Sequence, residues 1–267
     1  MRSVLKVAAL ALGLAAFLLI GTVQSISRRG VVFDANDGYV AMAEGDTLQI
    51  GLRFQDLARV ALADLGQAIL EVRVPSLDHA PVQLQRWSVE SLGHSFTRSQ
   101  KRVNLNLVAL RPGAVTIDEV ELRSRSGWKS YPTGHIEFVV RVCPQGQSLQ
   151  AKSIVSLTEA PREDGPWRNT MLLRNWGNAP VRILGLEGPY VSAGSGASDL
   201  KDIVIPGNAE VLAPTVFELP SAVAASATFP SPIPRHVWFR PWVHYTDAGA
   251  DKEIPGTLYM IRGGRPD

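Results

Sequence analysis

Five histidines, one cysteine and two Ser-x-x-Lys matches beyond residue 30 are the residues of this chain whose types suggest chemistry. The Ser126–Lys129 and Ser198–Lys201 matches have the spacing of a serine nucleophile with a lysine base. That chemistry needs a helix beneath a companion K-T-G strand, and the chain contains neither K-T-G nor S-D-N. Cys143 is the single cysteine, so no intrachain disulfide exists, and it reads as a small apolar residue at a strand end. His79, His94, His135, His236 and His244 are dispersed. Only His236 and His244 share an element, where eight residues of strand separate them by roughly 26 Å, too far to chelate one metal. No Walker loop and no H-E-x-x-H occurs, and Gly194-Ser195-Gly196 lacks the frame of a nucleophile elbow. Asp118-Glu119 and Glu163-Asp164 are adjacent pairs whose side chains point apart, as solvated edges do. The expectation is a protein that is not an enzyme, with no catalytic residue, no metal and no cofactor.

The segment His236–Tyr245, HVWFRPWVHY, is the densest aromatic stretch. Strand alternation puts Val237, Phe239, Val243 and Tyr245 on one face, the natural core face. Trp238, Arg240, Trp242 and His244 fall on the other. Those four are the candidate binding residues, because exposed Trp and Arg dominate recognition surfaces. The competing reading packs them beneath a loop or against the rest of the chain, with Arg240 stacking on either indole as cover. Pro241 lacks a donor and argues for an edge strand or a bulge.

The elements that must hold such residues are strands. TLQIGLRF places Leu48, Ile50, Leu52 and Phe54 on one face, and KRVNLNLVAL does the same with Val103, Leu105 and Leu107. AVTIDEVELRS carries Val115 and Ile117, then an irregularity, then Val120 and Leu122. Turn signals separate the runs at 36–38, 44–46, 111–113 and 126–127. DLARVALADLG, from Asp56 to Gly66, reads as one short helix. Pro144–Ser148 reads as the start of a linker, after which the pattern of strands restarts. The predicted fold is all-β: two tandem antiparallel sandwiches of immunoglobulin size, 31–143 and 151–267, joined by a linker over 144–150. Without the cofactor crevice of α/β folds, function must sit on loops, edges or the groove between the two. The VSAGSGASD stretch reads as a plain loop, and SAVAASATFPSPIPR as an extended surface segment.

RPGAVTIDEVELRSRSG resembles the closing hairpin of immunoglobulin-like modules in exported bacterial envelope proteins, including the BatD type. Asn175–Val181, NWGNAPV, resembles a turn of bacterial immunoglobulin-like accessory domains. The resemblance implies a sandwich and a role in binding, adhesion or assembly, and it implies no catalytic residue.

Charge and leader bound the setting. Of 27 basic residues, Arg2 and Lys6 lie before the apolar run; the other 25 equal the 25 acids, and no acid precedes Asp34. A neutral body has no basic footprint for nucleic acid, and none is expected as a partner. Val7–Val23 is an uncharged run of 17 residues, about 26 Å long as a helix. Residues 1–30 are therefore read as a signal-anchor with its transmembrane helix, leaving 31–267 extracytoplasmic. The alternative is a signal peptide cleaved after Ser25, giving a secreted or periplasmic protein. The function expected is a membrane-tethered binding or scaffold protein of the cell envelope with a membrane or envelope protein as partner. A periplasmic two-sandwich assembly chaperone and a carbohydrate-binding module are the alternatives.

Overall fold

A computed structural model describes residues 31–56, 69–95, 98–125, 127–144, 146–152, 156–159, 167–191, 200, 202–218 and 235–263. The leader 1–30, most of the expected helix at Asp56–Gly66, the 192–199 loop and the 219–234 segment lie outside the described residues, as do Ser126 and Ser198. Among the described residues no helix is long and apolar enough to cross a membrane.

The alternating runs all become strands. The first segment forms β1 (Val31–Phe33), β2 (Ala35–Ala43), β3 (Thr47–Asp56), β4 (Glu71–Arg73), β5 (Val82–Ser95), β6 (Arg98–Ala109), β7 (Gly113–Ser124) and β8 (Gly127–Arg141). The second forms β9 (Leu149–Ala151), β10 (Ser156–Glu159), β11 (Trp167–Asn175), β12 (Val181–Glu187), β13 (Val204–Ile205) and β14 (Glu210–Phe217). It closes with β15 (Arg235–Arg240), β16 (Trp242–Asp247), β17 (Ala250–Pro255) and β18 (Tyr259–Gly263). The chain is all-β. The irregularity read between Ile117 and Val120 is a bulge, where the β7–β8 register shifts between Ile117 and Glu119.

Four sheets result, in the orders β1-β3-β6-β5, β10-β18-β15-β2-β8-β7-β4, β14-β11-β9 and β13-β12-β16-β17. The seven-stranded sheet differs from the purely antiparallel pairing expected within each segment, because it joins strands of both. β15 from the second segment pairs in parallel with β2 from the first, Arg240 opposite Val40, and β2 pairs in parallel with β8. Strands so placed are covered on both faces and read as near-continuous apolar runs rather than alternating ones. On β2, Val40 and Met42 join one core with Ile50, Leu105 and Phe138, while Tyr39 and Ala41 join the other. On β15, Trp238 faces the first core, and Val237 and Phe239 face the second. The middle sheet is thus a shared wall between two cores. The register needs a close approach at Gly38, where a Cβ would lie 2.3 Å from the Trp238 carbonyl oxygen.

Candidate functional site

Pro241 is where the aromatic segment divides. It neither bulges nor marks an edge within one strand; it ends β15, and the chain passes to β16 in a different sheet. Trp238 is buried in the first core, with its Nε1 donating to Asn36 Oδ1 at 3.2 Å. Trp242 is fully buried in the second core. The four candidate residues therefore do not form one stripe, and Arg240 does not lie between two indoles. The guanidinium over Trp242 belongs to Arg141, 4.8 Å from the ring centroid.

Arg240 turns instead to the floor of a groove between the two cores. Its Nε donates to the Gly256 carbonyl at 2.9 Å, and its Nη1 to the Ala41 carbonyl at 3.3 Å and Asp46 Oδ2 at 3.1 Å. Asp46 is held in the β2–β3 turn by accepting from the Ala43 amide. Burial pushes the Arg240 guanidinium below its ordinary value, and the Asp46 charge opposes that shift. An arginine so paired stays charged at neutral pH. The groove above it encloses about 690 Å³.

One wall of the groove is built by the turn after β11. Asn175 is fully buried, and its Nδ2 donates to the carbonyls of Ala179, Ile205 and Pro206 at 2.8, 3.1 and 3.1 Å. Its Oδ1 accepts from the Gly177 amide at 2.9 Å. With the turn clamped from inside, the next residue, Trp176, has no core to enter and is 52% exposed. The indole is nonetheless fixed. Its Nε1 donates to Gln150 Oε1 at 3.0 Å, and the Arg174 guanidinium lies 3.4 Å from its ring centroid. Arg174 is in turn paired with Glu210 at 2.9 Å. Lys152 stands exposed on the same wall. In the sequence this turn is recognisable by its shape, but Trp176 does not stand out as a site residue. The available signal was an indole inside an Asn-Trp-Gly-Asn turn, where a side chain of that size cannot be covered.

His244 belongs to a second cluster, on the outer face of the β12–β16–β17 sheet. Its Nε2 lies 2.8 Å from Glu187 Oε2, and its Nδ1 lies 3.8 Å from Glu253. One ligand atom from each of the three falls within 4.8 Å of the others, a spacing that suits a metal. The cation present is Arg141, which pairs with Glu187 through both of its Nη atoms and with Glu253 at 2.7 Å. A metal would have to displace that guanidinium, so the cluster reads as an ion-pair network. The Arg141 hydrogen bond holds the Glu187 carboxyl below its ordinary value near 4.5, against a smaller opposing effect of burial. A depressed acid stabilises the fold above its unfolded pKa and loses that contribution as pH falls through the folded value. We therefore expect an acid titration of stability to show a component below pH 4.5 that Arg141→Met removes. An unchanged acid profile in the variant would refute the pairing.

His236 is buried, its Nε2 2.9 Å from the Asp34 carboxylate. Burial, helped by the nearby Glu253 charge, pushes the half-buried Cys143 thiol up to about 11. It is un-ionised at neutral pH, which is unlike a nucleophile.

The fold and the groove define an all-β protein with a polar, aromatic-walled cleft at the junction of two cores. No family model matches the chain, and no curated protein matches it. Among solved structures it is similar to a protein of unknown function from Porphyromonas gingivalis W83, at 13% identity and a TM-score of 0.27, covering 86% of this chain and 96% of that one. It is similar also to CBD12 from CALX1.2, at 9% identity and a TM-score of 0.26, covering 87% and 99%. The sialic acid binding region of a Streptococcus sanguinis SK1 adhesin gives 7% identity and a TM-score of 0.23, covering 87% and 77%. At such scores these likenesses carry no argument about what this chain does.

Proposed function

We propose that the chain is a non-enzymatic, membrane-tethered binding or scaffold protein of the cell envelope, holding its partner in the groove beside Trp176. In this reading residues 7–23 are the membrane anchor. The two segments, 31–143 and 151–267, are immunoglobulin-like sandwiches fused along β2 and β15. The observation that carries it is Trp176, a large indole held rigid in the open by Arg174 and Gln150. A fixed aromatic at the rim of a cleft gives contact area with little entropy lost on binding. Lys152 on the same wall suits a partner with an acidic group. The basic leader and its uncharged run support the membrane tether and an exported body.

The test combines placement and capture. A cysteine introduced at an exposed site beyond residue 30 should react with a membrane-impermeant thiol reagent in whole cells. Crosslinking in intact cells should then capture a protein whose yield falls with Trp176→Ala, at a binding cost of ~2 kcal/mol or about thirtyfold. Labelling only after lysis, or capture indifferent to Trp176→Ala, would overturn the reading. The exposed indole also favours a carbohydrate partner. A glycan array that scores with the wild type and not with Trp176→Ala selects that second reading.

A further inference from the structure

The β1-β3-β6-β5 sheet ends on one side in β1, three residues long, and on the other in β5, fourteen residues long. Among the described residues no strand pairs with the outer edge of β5. An edge strand turns every second N–H and C=O away from its neighbour, and natural sheets blunt long edges with proline, short strands, charges or bulges. β5 contains no proline. Its register against β6 shifts between Leu84 and Arg86 and again between Ser91 and Gly93. Between those two bulges, Arg86 to Ser91 run in unbroken pairing with Asn106 to Lys101. This is a window in which a further strand can pair before a bulge interrupts it.

The window matches itself in reverse. Laid antiparallel on a second copy with Ser88 opposite Ser88, Arg86 meets Glu90 and Trp87 meets Val89. By the two-fold symmetry each of these pairs occurs twice. The faces agree as well. Trp87 and Val89 stand opposite Leu105 and Val103, so they lie on the core side of the sheet. Val89 is 36% exposed and Trp87 only partly covered, because the first core ends at this edge. Arg86 and Glu90 stand opposite Asn106 and Arg102, on the outer side. Arg102 donates to Glu90 at 2.6 Å and, with Asn104, holds its carboxyl below the usual range, so Glu90 carries its charge at neutral pH.

We infer that this chain self-associates through β5, two copies pairing antiparallel about Ser88 to make one sheet of eight strands. Trp87 of each copy then covers Val89 of the other and extends the apolar layer across the joint. Arg86 and Glu90 form two cross-strand ion pairs on the outer side and set the register. The surface lies on the first segment, whereas Trp176 belongs to the second.

The sign pattern gives a test that a chance contact does not pass. In the full chain in detergent, sedimentation equilibrium should show the wild type as a dimer. Arg86→Glu sets two acids opposite two acids and should weaken self-association about tenfold or more. Glu90→Arg should do the same with bases. Mixing the two variants should restore a dimer containing one copy of each, because every pair is again opposite in sign. On a Cys143→Ser background, Ser88→Cys should oxidise to a covalent dimer, and Gln83→Cys should not. A monomeric wild type overturns the inference. So does a dimer that persists in Arg86→Glu, or a mixture that stays monomeric while both variants keep the wild-type melting midpoint.

Discussion

Replacing Trp242 with alanine lowers stability by ~3–5 kcal/mol, which for a chain of this size moves the melting midpoint by about 10 °C. The indole is fully buried in the second core, the cluster that also holds Val243 and Tyr245. It also supports Arg141, whose guanidinium lies across the ring and ties Glu187 to Glu253. Trp176→Ala is the control, since an exposed indole at a turn changes stability by about 0.5 kcal/mol or less. Thermal unfolding followed by circular dichroism separates the two. Equal midpoints for Trp242→Ala and the wild type would place Trp242 at the surface and undo the assignment of the second core.

Gly38→Ala tests the shared wall. The added methyl would sit 2.3 Å from the Trp238 carbonyl oxygen and 2.9 Å from its Cβ. Both belong to the backbone or its first carbon, so no rotamer change relieves the contact. β2 and β15 must move apart, at a cost of ~3 kcal/mol or more. Because the two strands join the segments, the cut at 144–150 by a protease should speed up as well. Gly93→Ala meets nothing within 4 Å and should stay within about 0.5 kcal/mol of the wild type. If Gly38→Ala is as mild as Gly93→Ala, β2 and β15 are not paired as described.

What the sequence reveals here is local, and what it hides is long-range. The alternation in β3 and β6 and the bulge after Ile117 are readable because each rests on residues close in the chain. The parallel pairing of β2 with β15 joins residues 200 apart, and no pattern within either strand names its partner. A partial trace existed: Tyr39–Met42 and Val237–Phe239 are continuous apolar runs, as strands covered on both faces require. Pro241 was visible as a break, but a missing donor does not say that the chain leaves for another sheet. The same limit governs the groove. Asp46, Gln150, Trp176 and Arg240 are dispersed over nearly two hundred residues and meet only when both cores have formed. Likewise Glu187 and Glu253 reach His244 from separate strands, so no spacing along the chain announces them.

The shared wall also sets an order in time. β2 is among the first strands made, yet its partner Arg235–Arg240 follows 200 residues later. At about 5–20 residues per second, β2 waits roughly 10–40 s on the ribosome before that partner exists. The first core is incomplete for the same interval, since Trp238, Leu258 and Met260 close it from the far end of the chain. Until then a nascent chain of this kind leaves bare the edge of β2 that β15 takes and the face that Tyr39 and Ala41 turn to the second core. A chain that stopped at Asp247 would lack β17 and β18 altogether, and neither core would close.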